Sequence, residues 1–139
     1  MTIDQAGLDF IKQFEGFSPV VYNDAVGKPT IGYGHLIRPN EDFSMGISLY
    51  QGETLLYDDL EGVEARILQL APTTITQCQF NALCSFGFNL GVGALQQMMA
   101  HGWDQVPAQI LRWDHAGGHI LTGLTRRRQA ESKLFLAPC

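Results

Sequence analysis

Residues 48–70 constrain the fold more than any other stretch of this chain. The apolar residues Leu56, Leu60, Val63, Ile67 and Leu70 recur at steps of four, three, four and three, which sets all five on one face of a helix. Ser48 and Gln51 form a capping box at its start. Pro72 has no N–H with which to continue the ladder and stops it. Gly52 and Gly62 weaken the interior, so the start is free to slip by a turn. The segments on either side of this helix differ in kind. Before it, Val20-Val21-Tyr22 is β-prone, Asn23-Asp24 and Gly27 supply turn chemistry, and Thr30 to Gly34 alternates, so residues 18–35 read as a β-hairpin or small antiparallel sheet. Residues 36–47, with Pro39, Asn40 and Gly46, read as an irregular loop.

After Pro72 everything is helical. Thr76 and Gln79 form a second capping box, opening a helix that carries Phe80, Leu83, Cys84 and Phe88 and ends at Gly91. Residues 93–101 and 104–113 are expected as two short helices, Gly117-Gly118 as a break, and residues 124–135 as a last helix that is basic on one side. At the other end, Leu8, Ile11 and Phe14 define a first helix over residues 4–14, capped by Asp4 and ended by Gly16. The class is therefore α+β: a small lobe over about residues 15–47, a connecting helix over about 48–70, and a helical lobe over about 71–139 that takes in the first helix. Such a layout creates a cleft between lobes, where ligands commonly bind.

Composition narrows the partners. Apolar residues make up 45% of the 139, enough for one sizeable core, and charged residues 17%, which excludes a disordered chain. The net charge of −5 argues against nucleic acid and anionic membrane, both of which attract cationic surfaces. Arg112, Arg126, Arg127, Arg128 and Lys133 nevertheless gather in the last third, either as a basic face for an acidic polymer or as solvated helix surface. No signal peptide or membrane-inserting apolar run is read in the sequence. Cys78 and Cys84 lie six residues apart on one helix, about 9 Å along its axis, too far for a bridge. With Cys139 they are expected to be free thiols in a reducing cytoplasm, Cys139 being open to oxidation between molecules.

Three residues carry candidate chemistry. Glu15 ends the first helix between Phe14 and Phe17, and a carboxyl among apolar rings holds its proton more firmly, as a general acid must. Asp24 lies in the hairpin turn and Thr30 opens the next strand; each alone is ordinary for its place. Together with their neighbours they resemble a family. Phe14-Glu15-Gly16-Phe17, Tyr22-Asn23-Asp24, Gly27 and Thr30-Ile31-Gly32-Tyr33-Gly34-His35 resemble the phage-type lysozymes, glycoside hydrolase family 24, whose signature is Glu, eight residues, Asp or Cys, five residues, Thr. Glu15, Asp24 and Thr30 fit those gaps. The resemblance continues through Phe86 to Ala94, through Arg112-Trp113 with Ala116-Gly117-Gly118, and through Gly123-Leu124 with Arg127, Arg128 and Glu131. One departure lies at Leu95 to Gly102, where the resemblance implies a stretch longer by roughly one to two helical turns. The packing of the second lobe is what this puts in question.

The resemblance implies a lysozyme-like fold in a single domain, residues 1–139. It also implies a muramidase that cuts the β-1,4 bond between N-acetylmuramic acid and N-acetylglucosamine, serving a phage or prophage in host lysis. Glu15 would be the general acid. Asp24 and Thr30 would hold a water for inversion, which needs the carboxyl groups roughly 6.5–9.5 Å apart, or Asp24 would act as nucleophile or electrostatic stabiliser. A catalytically silent wall-binding module and a muramidase effector are the other readings. Gly34, Leu36, Phe88 and Asn89 match positions that line the sugar groove. His35 is expected to pair with Asp59 on the connecting helix, and Arg126, Arg127 and Arg128 either to meet acidic peptide stems or to balance that acidic helix. His101, His115 and His119 have no metal-ligand pattern, and neither metal nor cofactor is expected. The expected partner of this monomer is the peptidoglycan glycan strand. It would wait in the host cytoplasm until a holin opened the way to the wall.

Overall fold

Asp4 starts the first helix by accepting the Gly7 N–H on its side chain at 2.9 Å. The computed structural model describes Met1–Cys139 and places α1 at Gln5–Glu15, β1 at Ser18–Asn23, β2 at Pro29–Gly32, β3 at His35–Leu36 and α2 at Leu49–Asp59. Then come α3 (Glu61–Leu70), α4 (Gln77–Leu90), α5 (Val92–Met99), a 3-10 turn (Trp103–Gln105), α6 (Val106–Ile110), β4 (His115–Ala116), β5 (His119–Ile120) and α7 (Thr122–Leu136). The chain forms two compact units, Leu8–Glu61 and Met1–Gly7 with Gly62–Cys139. No helix is long and apolar enough to cross a membrane.

In the smaller unit, β1-β2-β3 is an antiparallel sheet with Tyr22 opposite Thr30, Ile31 opposite His35 and Thr30 opposite Leu36. Its core is Leu8, Ile11, Ile31, Tyr33, Leu56 and Leu60, all buried. The capping box at Ser48 and Gln51 forms as read. Gly52 is a close-packing residue: a Cβ there would lie 2.6 Å from the Phe17 ring, which stacks at 5.0 Å on Tyr33. The expected single helix over 48–70 is corrected to two. Leu60 falls between them, its N–H shared by the carbonyls of Leu56 (3.2 Å) and Tyr57 (3.3 Å). Asp58 and Asp59 crowd the C-terminal end of α2, where negative charge opposes the helix dipole, and Gly62 follows at once.

In the larger unit, α4 is buried from Phe80 to Gly87 and packs along α7. Leu95, Met98 and Met99 in the stretch from Leu95 to Gly102 are buried, as are Val106 and Ile110 after it. Gly117-Gly118, read as a break, is the tip of a two-residue hairpin joining β4 and β5, both glycines having positive φ (58° and 80°). The basic face expected on α7 is corrected in part, because Arg127 and Arg128 are buried and only Arg126 and Lys133 are exposed. Glu131, fully buried, takes Arg128 Nε at 2.7 Å and Arg127 Nε at 3.4 Å, and the Ser85 hydroxyl donates to it at 2.5 Å. Burial pushes the Glu131 carboxyl above its ordinary value, against the pull of the two guanidinium groups. The pattern of charges on α7 gave no sign that one turn of it faces inward.

The cysteine expectation is corrected for two of the three. Cys78 at the start of α4 is disulfide-bonded to Cys139, their Cα atoms 5.9 Å apart. The partner lies 61 residues away in sequence, where spacing along one helix carries no information. Cys84 is free and buried, and burial pushes its thiol well up. Closing a loop of this length restricts the unfolded chain, so reduction, or Cys78→Ser, is expected to lower stability by about 2–4 kcal/mol. Thermal melts with and without reductant read this; coincident melts contradict it.

Candidate active site

Glu15 is the last residue of α1. Gly16 (φ 68°) turns the chain out of the helix, and its N–H bonds the Lys12 carbonyl at 3.0 Å. Glu15, Gly16 and Phe17 then form, with Ser18 and Tyr22 of β1, a shallow hollow of about 290 Å³. The hollow joins Glu15 to the hairpin strand that leads to Asp24. Tyr22 and Ser18 were not singled out from sequence, since a strand Tyr beside a turn carries no chemical signature.

Asp24 organises the hairpin tip. Its Oδ1 accepts the N–H of Val26 (3.0 Å) and of Lys28 (2.8 Å), its N–H donates to the Lys28 carbonyl (2.9 Å), and its own carbonyl accepts from Gly27 (2.9 Å). Gly27 (φ 81°) permits that last turn. Thr30 is buried, and its hydroxyl donates to the Lys28 carbonyl at 2.9 Å. Asp24, just past β1, and Thr30 of β2 thus converge on the same residue, Lys28.

His35 locks this sheet to α2. Its Nδ1 lies 2.7 Å from Asp59 Oδ2 and its Nε2 2.9 Å from Glu41 Oε1. Burial opposes charge on His35, but the hydrogen bonds and charges of Asp59 and Glu41 outweigh it and raise the imidazole above its ordinary 6.5. Asp59 also lies above its usual value: burial outweighs the stabilisation that His35 and Arg38 give its charge. Glu41 lies below, held there first by the Arg38 backbone N–H and then by His35. Asp59 is the partner read from sequence; Glu41, in the loop, was missed because nothing in the loop's sequence marks which carboxylate folds back.

Gly34 (φ 78°) makes the tight turn between β2 and β3, and Leu36, half-exposed, stands across from Thr30. Phe88 and Asn89 belong to the larger unit, near the end of α4, where Asn89 Oδ1 accepts from Arg128 at 2.8 Å. The structure therefore groups Glu15, Asp24, Thr30, Gly34, Leu36, His35 and Asp59 in the smaller unit and sets Phe88 and Asn89 in the other.

The family described as phage lysozyme matches residues 12–131. The chain belongs to the phage lysozyme family. It is 34% identical to the endolysin of Salmonella phage P22, over 99% of both chains. It is 36% identical to the endolysin of Bacillus phage B103 over 98% of its own length, though it spans only 54% of that protein. Among solved structures it superposes on the muramidase domain of SpmX from Asticaccaulis excentricus with a TM-score of 0.83, 31% identity and 99% of each chain covered. The lysozyme-like fold, a small β-hairpin region with a helical lobe, is shared, and the endolysins of this family are glycoside hydrolases.

The raised imidazole of this lysozyme-family chain fixes a pH dependence. Folding binds an extra proton, so His35 contributes stability that is fully present below its ordinary 6.5 and is lost as pH rises through the higher folded value. His35→Asn is expected to cost about 1–3 kcal/mol near neutral pH by leaving Asp59 short of its partner, and to flatten the decline on the alkaline side. Urea unfolding from pH 6 to 9 reads both; an unchanged slope in the variant contradicts the assignment.

Proposed function

We propose that this chain hydrolyses the β-1,4 bond between N-acetylmuramic acid and N-acetylglucosamine in peptidoglycan. Glu15 gives its proton to the leaving oxygen, and Asp24 and Thr30 hold the attacking water. The observation that carries this reading is the hydrogen bonding at the hairpin tip. Both backbone N–H groups that reach the Asp24 carboxylate fall on Oδ1, which leaves Oδ2 as the oxygen that can accept from a substrate or water. Thr30 spends its hydroxyl proton on the Lys28 carbonyl, so that hydroxyl can only accept. A water between two acceptors donates a hydrogen to each and turns its lone pairs outward. In the reaction the water oxygen bonds to the anomeric carbon, its proton passes to Asp24, and the glycosidic C–O bond breaks as Glu15 protonates the departing oxygen. The sugar inverts. Direct attack by Asp24 would use the same oxygen, but it assigns no task to the oriented hydroxyl of Thr30.

Gly34 and Leu36 supply sugar contacts beside Thr30, since the glycine admits close backbone approach. Phe88 and Asn89 are sugar-contact candidates on the family motif alone. The chain works as a monomer on glycan strands, in phage or prophage lysis, held in the host cytoplasm until a holin gives access to the wall.

Glu15→Gln keeps the shape and removes the proton donor. It is expected to lower clearing of chloroform-treated Gram-negative cells by about 10²-fold or more; undiminished clearing by the variant would overturn the role of Glu15, and absence of clearing by the unsubstituted chain would leave a wall-binding module. Thr30→Val should reduce the rate more than Thr30→Ser, which restores an acceptor. A first-formed product of retained anomeric configuration, read by NMR, contradicts the water-holding role.

A further inference from the structure

The outer face of α2 carries a feature that the proposed chemistry does not use. Tyr50 is 82% exposed and Tyr57 44%. They stand seven residues apart, two turns or about 10 Å along one helical face. Between them lie Glu53 and Thr54, and with Leu8 of α1 these residues line a depression of about 230 Å³. Aromatic side chains so exposed on one face mark a contact surface.

The polar groups in the depression define the ligand. The Thr54 hydroxyl donates to the Tyr50 carbonyl at 3.1 Å and so faces outward as an acceptor. The Glu53 carboxylate is held by Lys12 Nζ, which both fixes its direction and compensates its charge. The walls are aromatic, the floor is Leu8, and the polar groups accept without calling for a cation. An apolar helix docking here would leave the Glu53–Lys12 pair without water. An anionic polymer would find no unpaired cation. An uncharged pyranose fits: its C–H face packs on a tyrosine ring, and its hydroxyl and acetamido N–H groups donate to Glu53 and Thr54.

Leu8, Lys12 and Glu15 step by four and three along α1 and share one face of that helix, Leu8 and Glu15 being about 10 Å apart along its axis. We infer that Tyr50 and Tyr57, with Glu53 and Thr54, form a second binding site for an N-acetylhexosamine strand, separate from the site of cleavage, which keeps the enzyme on an insoluble polymer between cuts. The inference rests on the glycan-cleaving reading above.

The test is retention on purified peptidoglycan sacculi by the full chain carrying Glu15→Gln, which leaves the wall intact during the measurement. Adding Tyr50→Ala and Tyr57→Ala is expected to weaken retention about tenfold, while Trp at both positions preserves it. Titration with tetra-N-acetylchitotetraose is expected to shift the ring resonances of Tyr50 and Tyr57. Both positions are surface sites, and an unchanged melting temperature shows that the alanine variant folds. Retention equal to that of the Glu15→Gln parent, or tyrosine rings that ignore the saccharide, overturns the site. Wall digestion by the unsubstituted chain is scored separately, so the failure of this site and the failure of the proposed hydrolysis are distinguishable.

Discussion

The smaller unit depends on one histidine. His35 has two ring nitrogens and uses both, one on Asp59 of α2 and one on Glu41 of the loop before it. Because His35 pairs across the sheet with Ile31, and Leu36 with Thr30, the strand that carries Thr30 is fixed to α2 through this ring. The tip beyond it is then set by Asp24, whose carboxylate gathers two backbone N–H groups. Positioning at the site is therefore a chain of short, directional bonds from α2 to the hairpin tip. Burial of Ile31 acts in the same direction, because a one-residue slip would turn it to the other face.

The larger unit solves a different problem. Two guanidinium groups share one buried carboxylate, with Ser85 donating to Glu131 and Asn89 accepting from Arg128. Removing one member of such a cluster leaves an uncompensated buried charge, which costs more than the intact cluster contributes. The cluster ties α4 to α7, and the Phe86 ring lies under the Arg128 guanidinium at 5.1 Å. The segment at residues 95–102 adds Leu95, Met98 and Met99 to this unit's core.

Local signals were legible in the sequence because they depend on neighbours only. Both capping boxes, the hairpin around Asp24 and the extent of α4 follow from spacing and residue type. What was not legible depends on contacts between distant segments. An arginine on a helix looks solvated until Glu131 and Ser85 are seen beside it. Cys78 has no visible partner until Cys139 returns to the start of α4. The break at Leu60 was hidden because the apolar stripe runs through it without a change of phase. Of the site, Glu15, Asp24 and Thr30 were readable as a spaced motif, whereas Tyr22 at the rim of the hollow and Glu41 behind His35 were not.

The central claim is hydrolysis of one particular bond, with Glu15 giving the proton and Asp24 and Thr30 holding the water. Mass spectrometry of the fragments released from purified peptidoglycan tests it most directly. Hydrolysis of that bond yields fragments that end in reducing N-acetylmuramic acid, each carrying the mass of one added water. Anhydro ends, which form without water, or reducing N-acetylglucosamine ends, from cleavage of the other glycosidic bond, would contradict it.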